Sequence, residues 1–411
     1  MRILMLSWEY PPRIVGGISR VVHDLAQKIG EAGNEVHVVT CYEQGAKTVE
    51  KDKNVFVHRV YTYDINAQNF TDWVLQLNFA LVEYSIRLLN EFERFDIIHA
   101  HDWIVAFAAR VLKHSYTIPL VSTLHATEHG RNWGIHNDTQ RYISSIEWWL
   151  AYESWKVIVN SEYMKNEVRQ VFQLPEDKIC KVYNGVDISK FQGYVRDYGF
   201  RRNYALDNEK MVFFVGRLVH EKGVHILVES IPKVIKHYND VKFVIAGKGP
   251  AYDYLRSRSM ELGVSHKVYF TGYISDVELL KLYKCSDIAV FPSLYEPFGI
   301  VALEGMVAGV PVIVSDTGGL GEIVEHGVDG MKFYAGNANS LADCILELLY
   351  NPEKAESMVK NAFEKVSSVY DSEIVSKKTM DVYSEILKES KESGWRPQSI
   401  KDSLTGNELK L

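Results

Sequence analysis

Two successive series of strand and helix patterns run along this chain, and they constrain its fold more than any other feature. Short apolar runs alternate with longer helical segments up to about residue 184, and the alternation starts again at residue 211. Such runs are typical of strands buried on both faces of a parallel sheet, where a helix connects each strand to the next. We therefore predict an α/β fold with two doubly wound, Rossmann-like domains.

The predicted strands define the extent of the two domains. They are residues 3–7, 35–40, 96–99, 119–124 and 156–159 in the first series, and 211–216, 242–247, 267–271, 288–292 and 311–315 in the second. A charged stretch at 196–210 separates the series, so we place the first domain at 1–195 and the second at 196–370. A further helix is predicted at about 371–392. The polar tail at 394–411 has few aromatic residues and is expected to be mobile.

Length and charge agree with this division. At 411 residues the chain exceeds one ordinary core, and a content of 46% hydrophobic and 24% charged residues is that of a soluble globular protein. The net charge of −7 argues against nucleic acid as the main partner, because phosphate binding requires a basic face. The sequence does not indicate an oligomeric state.

Cysteine usage and apolar runs bear on the compartment. Cys41, Cys180, Cys285 and Cys344 are scattered and form no Cys-x-x-Cys pair, which disfavours a zinc site or a disulfide framework. No apolar run reaches the length of a transmembrane helix, and the N-terminus has too short an apolar core for a signal peptide. We therefore predict a cytoplasmic protein without a transmembrane segment.

Two glutamates flank a strand-to-helix turn in the second series. Glu296 lies in the loop after the strand at 288–292, close to Gly299, and Glu304 lies about two turns along the helix that follows. Carboxylates at the carboxyl end of a strand are good acceptors for sugar hydroxyls, and an acid commonly binds the ribose in nucleotide sites. An acidic helix start with an ordinary charge in mid-helix is the structural alternative.

Two cations follow the first strand of the second domain. Arg217 and Lys222 belong to the stretch Gly-Arg-Leu-Val-His-Glu-Lys-Gly, just beyond the strand at 211–216. Positive charges at the mouth of a sheet can stabilise a diphosphate leaving group. Surface basic residues that simply follow a strand are the alternative.

Small residues at two other strand ends can admit an anion. Gly16 and Gly17 follow the first strand and precede a helix, so their backbone amides can approach a phosphate. The stretch Thr317-Gly318-Gly319-Leu320 follows a strand of the second series and again combines small residues with backbone amides. A plain turn is the alternative for the glycine pair at the start of the chain.

Polar side chains end two strands of the first domain. His101 and Asp102 lie at the end of one strand, and His125 follows the strand at 119–124. A His-Asp pair at a strand end can hydrogen-bond sugar hydroxyls, whereas the spacing does not provide a good zinc site. A purely structural role is the alternative for the pair and for His125.

Taken in chain order, these motifs resemble the donor-site signature of retaining glycosyltransferases with the GT-B fold. The resemblance is closest to glycosyltransferase family 4 and to the glycogen and starch synthases, and it covers the chain from residue 1 to about 390. The matching elements are Glu-Pro-Phe-Gly-Ile-Val-Ala-Leu-Glu ending at Glu304, Gly-Arg…Lys-Gly around Arg217, Thr-Gly-Gly-Leu ending at Leu320, and His-Ala-His-Asp-Trp ending at Trp103.

The resemblance implies an architecture and a set of roles. It implies two Rossmann-like domains with the active site in a cleft between them, and a last helix that crosses back onto the first domain. In such enzymes the residues that match Arg217 and Lys222 bind the donor phosphates. Those that match His125 and Glu296 hold the donor sugar, and the match of Glu304 binds the ribose. A donor-binding role is implied for a further set of residues, Gly16, Gly17, Gly299, Thr317, Gly318, Gly319 and Leu320. A place on the acceptor side is implied for His101 and Asp102.

The first loop departs from the synthase pattern. Those synthases usually carry Lys two residues before the paired glycines, where this chain has Ile14, and the nearest basic residue is Arg13. The roles of Arg13 and of the cluster Trp148, Trp149 and Trp155 are left open, because these indole rings can stack on sugars or simply fill a buried helix face.

No cofactor is predicted. The stretch Gly247-Lys-Gly249 lacks the third glycine of a dinucleotide fingerprint, so NAD binding is not supported. The chain contains no Asp-x-Asp, the divalent-metal signature of other transferases. We expect a metal-independent site, in which cations of the protein neutralise the diphosphate.

The resemblance implies a hexosyltransferase that retains anomeric configuration. We expect a glucosyl unit to pass from ADP-glucose or UDP-glucose to an α-1,4-glucan, as in a glycogen synthase. Alternatives are a family 4 transferase with another sugar nucleotide and a small-molecule or lipid acceptor, a sugar-nucleotide epimerase with the same two domains, and a non-catalytic protein that binds sugar nucleotides. An epimerase would release no glycosidic product. The joint presence of Arg217, Lys222, Glu296 and Glu304 argues against a mere binding protein.

Overall fold

The computed structural model of the chain describes residues 1–63, 65–92 and 94–395. Nearly all of the predicted mobile tail at 394–411 lies outside the described residues. The strands are β1 Arg2–Leu6, β2 Glu35–Cys41, β3 Val49–Asp52, β4 Val55–Val60, β5 Ile97–His101, β6 Leu120–Leu124, β7 Lys156–Val159, β8 Ile179–Lys181, β9 Lys210–Val215, β10 Val241–Ala246, β11 Val268–Gly272, β12 Ile288–Phe291, β13 Val312–Ser315 and β14 Met331–Phe333.

Helices connect these strands. They are α1 Gly17–Glu31, α2 Phe70–Glu91, α3 Ala106–Tyr116, α4 Glu128–Arg131, α5 Asp138–Glu153, α6 Glu162–Phe172, α7 Tyr198–Arg201, α8 Val224–His237, α9 Tyr252–Glu261, α10 Asp276–Cys285, α11 Ile300–Ala308, α12 Gly318–Ile323, α13 Ala338–Tyr350, α14 Pro352–Lys365 and α15 Ser372–Glu392. Among the described residues, no helix has the length and hydropathy needed to cross a membrane.

The first sheet is parallel except at one edge. Its strand order is β3-β4-β2-β1-β5-β6-β7-β8, and only the β3–β4 pair is antiparallel. The chain moves outward from β1 in one direction and then returns to β5 on the other side. In a doubly wound sheet, ligands bind outside the carboxyl ends of the two strands at which this reversal occurs. Here those strands are β1 and β5, which pair with each other.

The second sheet repeats this arrangement. Its order is β11-β10-β9-β12-β13-β14 with every pair parallel, the order of a Rossmann fold. Successive residues of β9 enter two different cores, because side chains alternate across a strand. Met211 and Phe213 pack on one face, and Val212 and Phe214 pack on the other. The reversal of strand order lies between β9 and β12.

The chain forms two compact units. One consists of Met1–Asn160, Lys165–Val182 and the residues from Val375 onward, and the other of Ser161–Met164 and Tyr183–Ile374. The last helix, α15, completes the core of the first unit, where fully buried Tyr383 and Ile386 pack in one cluster with β1 residues. The hydroxyl of Tyr383 lies 2.6 Å from Nδ1 of His99, a buried residue of β5.

Candidate active site

The strand reversal of the second sheet carries the two predicted cations and one of the two glutamates. Arg217 and Lys222 lie in the loop after β9, and Glu296 lies in the loop after β12. Because β9 and β12 are neighbouring parallel strands, both loops leave the sheet at the same edge. This edge is where a doubly wound domain binds its ligand.

Lys222 and Glu296 form a direct ion pair. The ammonium Nζ of Lys222 donates to Oε2 of Glu296 at 2.6 Å, and the hydroxyl of Ser293 donates to the same oxygen at 3.0 Å. Glu296 is buried, so its carboxylate needs these donors to replace water. The pair fixes the position of the lysine ammonium next to the strand ends.

Backbone contacts lock the two loops together. The amide of Leu294 donates to the carbonyl of Glu221 at 2.8 Å. Gly223 has φ +64°, and a Cβ atom there would lie 1.9 Å from the carbonyl oxygen of Pro292. Only glycine fits this contact, which explains why it follows Lys222 directly.

Arg217 is held less tightly than Lys222. Its side chain is 51% exposed, and its Nη2 atom lies 3.5 Å from Oε1 of Glu221. An exposed ion pair of this length contributes little to stability. The guanidinium can therefore turn towards a bound anion at small cost.

The Thr-Gly-Gly-Leu stretch packs against the glutamate loop. The amide of Gly319 donates to the carbonyl of Glu296 at 2.9 Å. A Cβ atom at Gly318 would lie 2.1 Å from that same carbonyl oxygen, and one at Gly299 would lie 2.4 Å from Cδ2 of Leu320. These glycines allow close contact between two loops, while their predicted role towards the donor phosphates stays a prediction.

Glu304 faces inward from helix α11. It is buried, and the hydroxyl of Tyr283 donates to its Oε2 atom at 3.1 Å. Tyr283 was not singled out by the sequence, because a tyrosine in a helix is ordinarily a core residue. It fixes one oxygen of the carboxylate predicted to bind ribose.

In the first unit, the predicted polar residues meet at the ends of β5 and β6. Asp102 has φ +61°, an uncommon conformation for a residue other than glycine. Its Oδ1 atom accepts a hydrogen bond from the backbone amide of His125 at 2.8 Å, and its own amide donates to the carbonyl of Thr123 at 3.0 Å. Asp102 thus ties the two strand ends together.

His101 and His125 contact each other through their rings. Nδ1 of His101 lies 3.2 Å from Nε2 of His125. Burial lowers the pKa of both imidazoles, and neighbouring Asp102 partly offsets the effect for His125. Both rings are therefore neutral near pH 7. Within the described parts of the chain, no group of three or more His, Cys, Asp and Glu side chains is arranged as a metal site.

The glycine loop after β1 already surrounds a carboxylate. Oε2 of Glu9 accepts from the amides of Val15 and Gly16 at 2.7 and 2.9 Å, and Gly17 begins helix α1. Burial is the main cause that raises the pKa of Glu9. The amide of Gly16 therefore has a partner within the protein, and the predicted role of Gly16 and Gly17 towards the donor stays a prediction.

Arg13 is bound by the first unit's own residues. Its Nη1 atom donates to Glu43 at 2.9 Å, and the guanidinium carbon lies 5.5 and 5.8 Å from the ring centres of Trp8 and Trp73. Cation–π contacts of this kind hold a guanidinium against rings. Arg13 therefore does not extend from its loop in the way that the lysine of a phosphate site would.

Two protein-family profiles match the chain, namely Glycosyltransferase Family 4 over residues 15–190 and Glycosyl transferases group 1 over residues 199–365. An uncharacterised glycosyltransferase of Methanocaldococcus jannaschii is 40% identical over 388 residues, which cover 93% of this chain and 98% of that protein. A glycogen synthase of Mycobacterium tuberculosis is 34% identical over 397 residues, which cover 93% of this chain and 94% of that protein. The chain belongs to the family 4 glycosyltransferases.

Solved structures share the fold of this chain. Sucrose-phosphate synthase from Thermosynechococcus elongatus superposes on this glycosyltransferase with a TM-score of 0.80 at 21% identity, over 94% of this chain and 99% of that one. Anabaena HepE, in complex with UDP-glucose, gives 0.76 at 23% identity, over 94% and 100%. The predicted family and the predicted α/β fold of the GT-B type are confirmed, and the protein is a hexosyltransferase.

Sequence reasoning missed one buried glutamate of this glycosyltransferase. Glu147 of helix α5 accepts from the amide of Glu128 with both carboxylate oxygens, at 2.9 and 3.0 Å. Burial raises the pKa of Glu147 to about 8. It holds the start of helix α4, in the loop that also carries His125. A charged residue among the apolar positions of a predicted helix was the available signal.

The three tryptophans of the glycosyltransferase whose role was left open have different surroundings. Nε1 of Trp155 donates to Glu389 of α15 at 2.7 Å. Trp148 is 44% exposed and stacks on Tyr152 with 5.4 Å between ring centres. A groove of about 770 Å³ runs along Trp148 and Trp149. Trp155 is thus tied to the last helix, and the other two border a surface groove.

Proposed function

We propose that this protein is a retaining glucosyltransferase that moves a glucosyl unit from ADP-glucose or UDP-glucose to an α-1,4-glucan. The observation that carries the proposal is the ion pair between Lys222 and Glu296, with exposed Arg217 in the same loop as the lysine, at the strand reversal of the second sheet. This arrangement supplies two cations for a diphosphate and one carboxylate for sugar hydroxyls at a single sheet edge.

The cations account for departure of the nucleotide. When the bond between the sugar and the diphosphate breaks, negative charge grows on the leaving phosphate oxygen. Lys222, held by Glu296, and Arg217, which can turn towards the anion, stabilise this charge as donors, an effect that can contribute about 10²- to 10³-fold in rate for each donor. The leaving oxygen can in turn accept the proton of the attacking hydroxyl. The acceptor then approaches from the side on which the diphosphate leaves, which retains configuration.

The carboxylates account for orientation. Glu296 keeps one oxygen occupied by Lys222 and Ser293, and its other oxygen can accept from a hydroxyl of the donor sugar. Glu304, oriented by Tyr283, is assigned to the ribose. In the first unit, His125 is assigned to the donor sugar, and His101 with Asp102 to the acceptor side, where fully buried His101 acts through its neighbours. Catalysis by this set consists of positioning and electrostatic stabilisation.

The choice of a glucan acceptor rests on similarity. The 34% identity to a glycogen synthase extends over 94% of that enzyme, and the His-Ala-His-Asp-Trp and Thr-Gly-Gly-Leu elements occur at strand ends of the two units. Of the donors named here, UDP-glucose occurs in HepE, a structure that shares the fold.

The test is nucleotide release from ADP-glucose, UDP-glucose and GDP-mannose, each with and without glycogen and in the presence of a metal chelator. We expect release from a glucosyl donor only when glycogen is present, and an α-1,4 linkage in the extended product by NMR. Release that no glucan stimulates would overturn the glucan acceptor and would favour a small-molecule or lipid acceptor.

Matched arginine variants test the assigned catalytic group. Arg217→Ala should lower turnover about 10²- to 10³-fold, because one donor to the leaving phosphate is lost. The control is Arg202→Ala, since Arg202 is an exposed arginine of the same unit that pairs with Asp207. An Arg217→Ala enzyme with unchanged turnover would overturn its catalytic role.

A further inference from the structure

The contact between His101 and His125 has a definite direction. Two neutral imidazole rings that share a hydrogen bond need one N–H donor and one bare nitrogen, because each ring carries a single proton. Nδ1 of His101 and Nε2 of His125 lie 3.2 Å apart. Either ring can donate, and the choice decides which nitrogen of His125 carries its proton.

The second nitrogen of His101 distinguishes the two arrangements. Nε2 of His101 is buried and has no hydrogen-bond partner among residues 1–63, 65–92 and 94–395. If His125 donated, His101 would carry its proton on Nε2 and would bury an unsatisfied N–H group. Orphaned buried N–H groups are rare in proteins, and under-satisfied backbone carbonyls are somewhat less so. When His101 donates from Nδ1, its buried Nε2 atom is a bare acceptor instead of an N–H group, and by the same order this is the more favourable arrangement.

We propose that His101 is a positioning residue that sets the tautomer of His125, by donating from Nδ1 to Nε2 and so placing the proton of His125 on its Nδ1 atom. His125 then presents an N–H donor, rather than a bare nitrogen, at its remaining ring position. This inference rests on the proposed function for its consequence, which is that Nδ1–H of His125 donates to an oxygen of the donor sugar.

Neighbouring residues hold the orientation of His101. The ring of His99 lies against it, with 4.1 Å between ring centres. Both nitrogens of His99 are engaged, one with the hydroxyl of Tyr383 at 2.6 Å and the other with that of Thr123 at 2.7 Å. The position of the His99 ring is thus fixed, and His101 cannot turn without disturbing a packed and hydrogen-bonded neighbour.

Tautomers can be read directly by NMR of the free protein. We expect long-range ¹H–¹⁵N spectra of ¹⁵N-histidine-labelled wild type to show both His101 and His125 as the Nδ1–H form at pH 7.5. Signals are assigned by their loss in His101→Asn and His125→Gln. Observation of His125 as the Nε2–H form in the wild type would overturn the proposal. This measurement uses no donor or acceptor, so its outcome is separate from that of the proposed function.

Variants connect the tautomer to turnover. His101→Leu removes the donor and should shift His125 towards the Nε2–H form. The wrong tautomer should lower kcat about 10- to 100-fold. The affinity for UDP and ADP should stay within twofold of that of wild type. His101→Asn keeps a side-chain donor near the position of Nδ1 and should restore the Nδ1–H form and most of kcat. Ser154→Ala is the control, because it removes a buried hydrogen bond of the first unit, to Ser122, that involves neither His99 nor His101.

The outcomes separate a positioning role from a structural one. If Ser154→Ala lowers kcat as much as His101→Leu, the loss comes from general damage to the core and the proposal is wrong. If His101→Leu does not fold, two measurements still test the proposal. They are the tautomer of His125 in the wild type and the comparison of His101→Asn with wild type. A His101→Asn enzyme with the Nδ1–H form but no activity above that of His125→Gln would also overturn the proposal.

Discussion

The carboxyl edges of the two sheets hold their polar groups by different means. In the first sheet, Glu9, His101, Asp102 and His125 are all buried, and each makes a hydrogen bond to a backbone amide or to another of the four. In the second sheet, one buried carboxylate is paired with Lys222, and Arg217 remains half exposed. The same position in two related topologies thus carries buried groups joined by hydrogen bonds in one unit, and a buried ion pair with a half-exposed arginine in the other.

Under the proposed function, this difference corresponds to a division of chemical work. Formal charge stabilises a leaving diphosphate, and the second unit is the one proposed to bind it. Neutral donors and acceptors distinguish the hydroxyls of a sugar, and they require fixed orientation rather than charge. The predictions below test whether charge matters in the second unit and orientation matters in the first.

The largest expected effect is that of Lys222→Ala. The variant loses a cation for the leaving phosphate and leaves the buried carboxylate of Glu296 without its partner. Turnover should fall about 10³-fold, as measured by nucleotide release at saturating donor. Lys233→Ala removes a lysine of the same unit that pairs with Asp343 and should keep full turnover. Equal losses in both variants would contradict the assignment.

Gly318→Ala should destabilise the second unit. The new Cβ atom would lie 2.1 Å from the carbonyl oxygen of Glu296, at a residue whose φ is +51°. We expect a loss of about 3 kcal/mol in the free energy of unfolding, measured in urea. Gly327→Ala is the control, with φ +80° and nothing within 4 Å, and should cost about 1 kcal/mol. Similar losses would show that backbone strain, not the loop contact, matters.

Glu147→Gln should change how stability depends on pH. In the folded protein Glu147 keeps its proton up to about pH 8, whereas the unfolded chain releases it near its ordinary value of 4.5. The folded state therefore binds more protons between these values, and its stability falls as pH rises. We expect wild type to lose about 1.5 kcal/mol relative to Glu147→Gln between pH 6.5 and 8.

That pH window isolates the glutamate from the buried histidines. Burial lowers the pKa of His99 to about 3, from an ordinary value of 6.5. The stability that comes from keeping His99 neutral in the folded protein is lost as pH falls below 6.5. Above that pH this contribution is constant. Parallel unfolding curves of wild type and Glu147→Gln between pH 6.5 and 8 would mean that Glu147 is ionised in the folded state.

The smallest effect is expected for Arg13→Lys. Arg13 is held by Glu43 and by two indole rings, so it does not belong to the charges that act on phosphate. The KM for the nucleotide donor should change less than about threefold, while the free energy of unfolding falls by about 1 kcal/mol through loss of ring contacts. A large rise in the KM for the donor would place a phosphate-binding cation in the first unit. The two sheet edges would then no longer differ in where they carry charge for the phosphate.

Periodicity and strand ends predict most of the fold. All ten predicted strands are present within two residues of their predicted bounds. Four strands were not predicted, and three of them have physical reasons for it; the exception is β4, a mostly buried run of six residues that resembles the predicted strands. Strand β3 is the charged stretch Val-Glu-Lys-Asp at a sheet edge, and its residues are half-buried or exposed, while β8 and β14 have only three residues each.

The candidate site was predictable by position but not by partner. Strand ends in a parallel sheet indicate which residues share an edge, so Lys222 and Glu296 could be placed in one region. Their ion pair joins residues 74 positions apart, and no local pattern specifies such a contact. The hydrogen bond from the amide of Gly16 to Glu9 was not predicted either, because a glutamate after a strand ordinarily faces water.

The place of α15 in the first unit sets the order in which the two units can be completed during synthesis. The second unit needs little beyond Tyr183–Ile374, whereas the first needs residues from Val375 onward. A ribosome delivers the chain from its N-terminus. The unit that is synthesised first is therefore completed last. Until Tyr383 and Ile386 have been synthesised, part of the apolar surface of its sheet is exposed to solvent or to a chaperone.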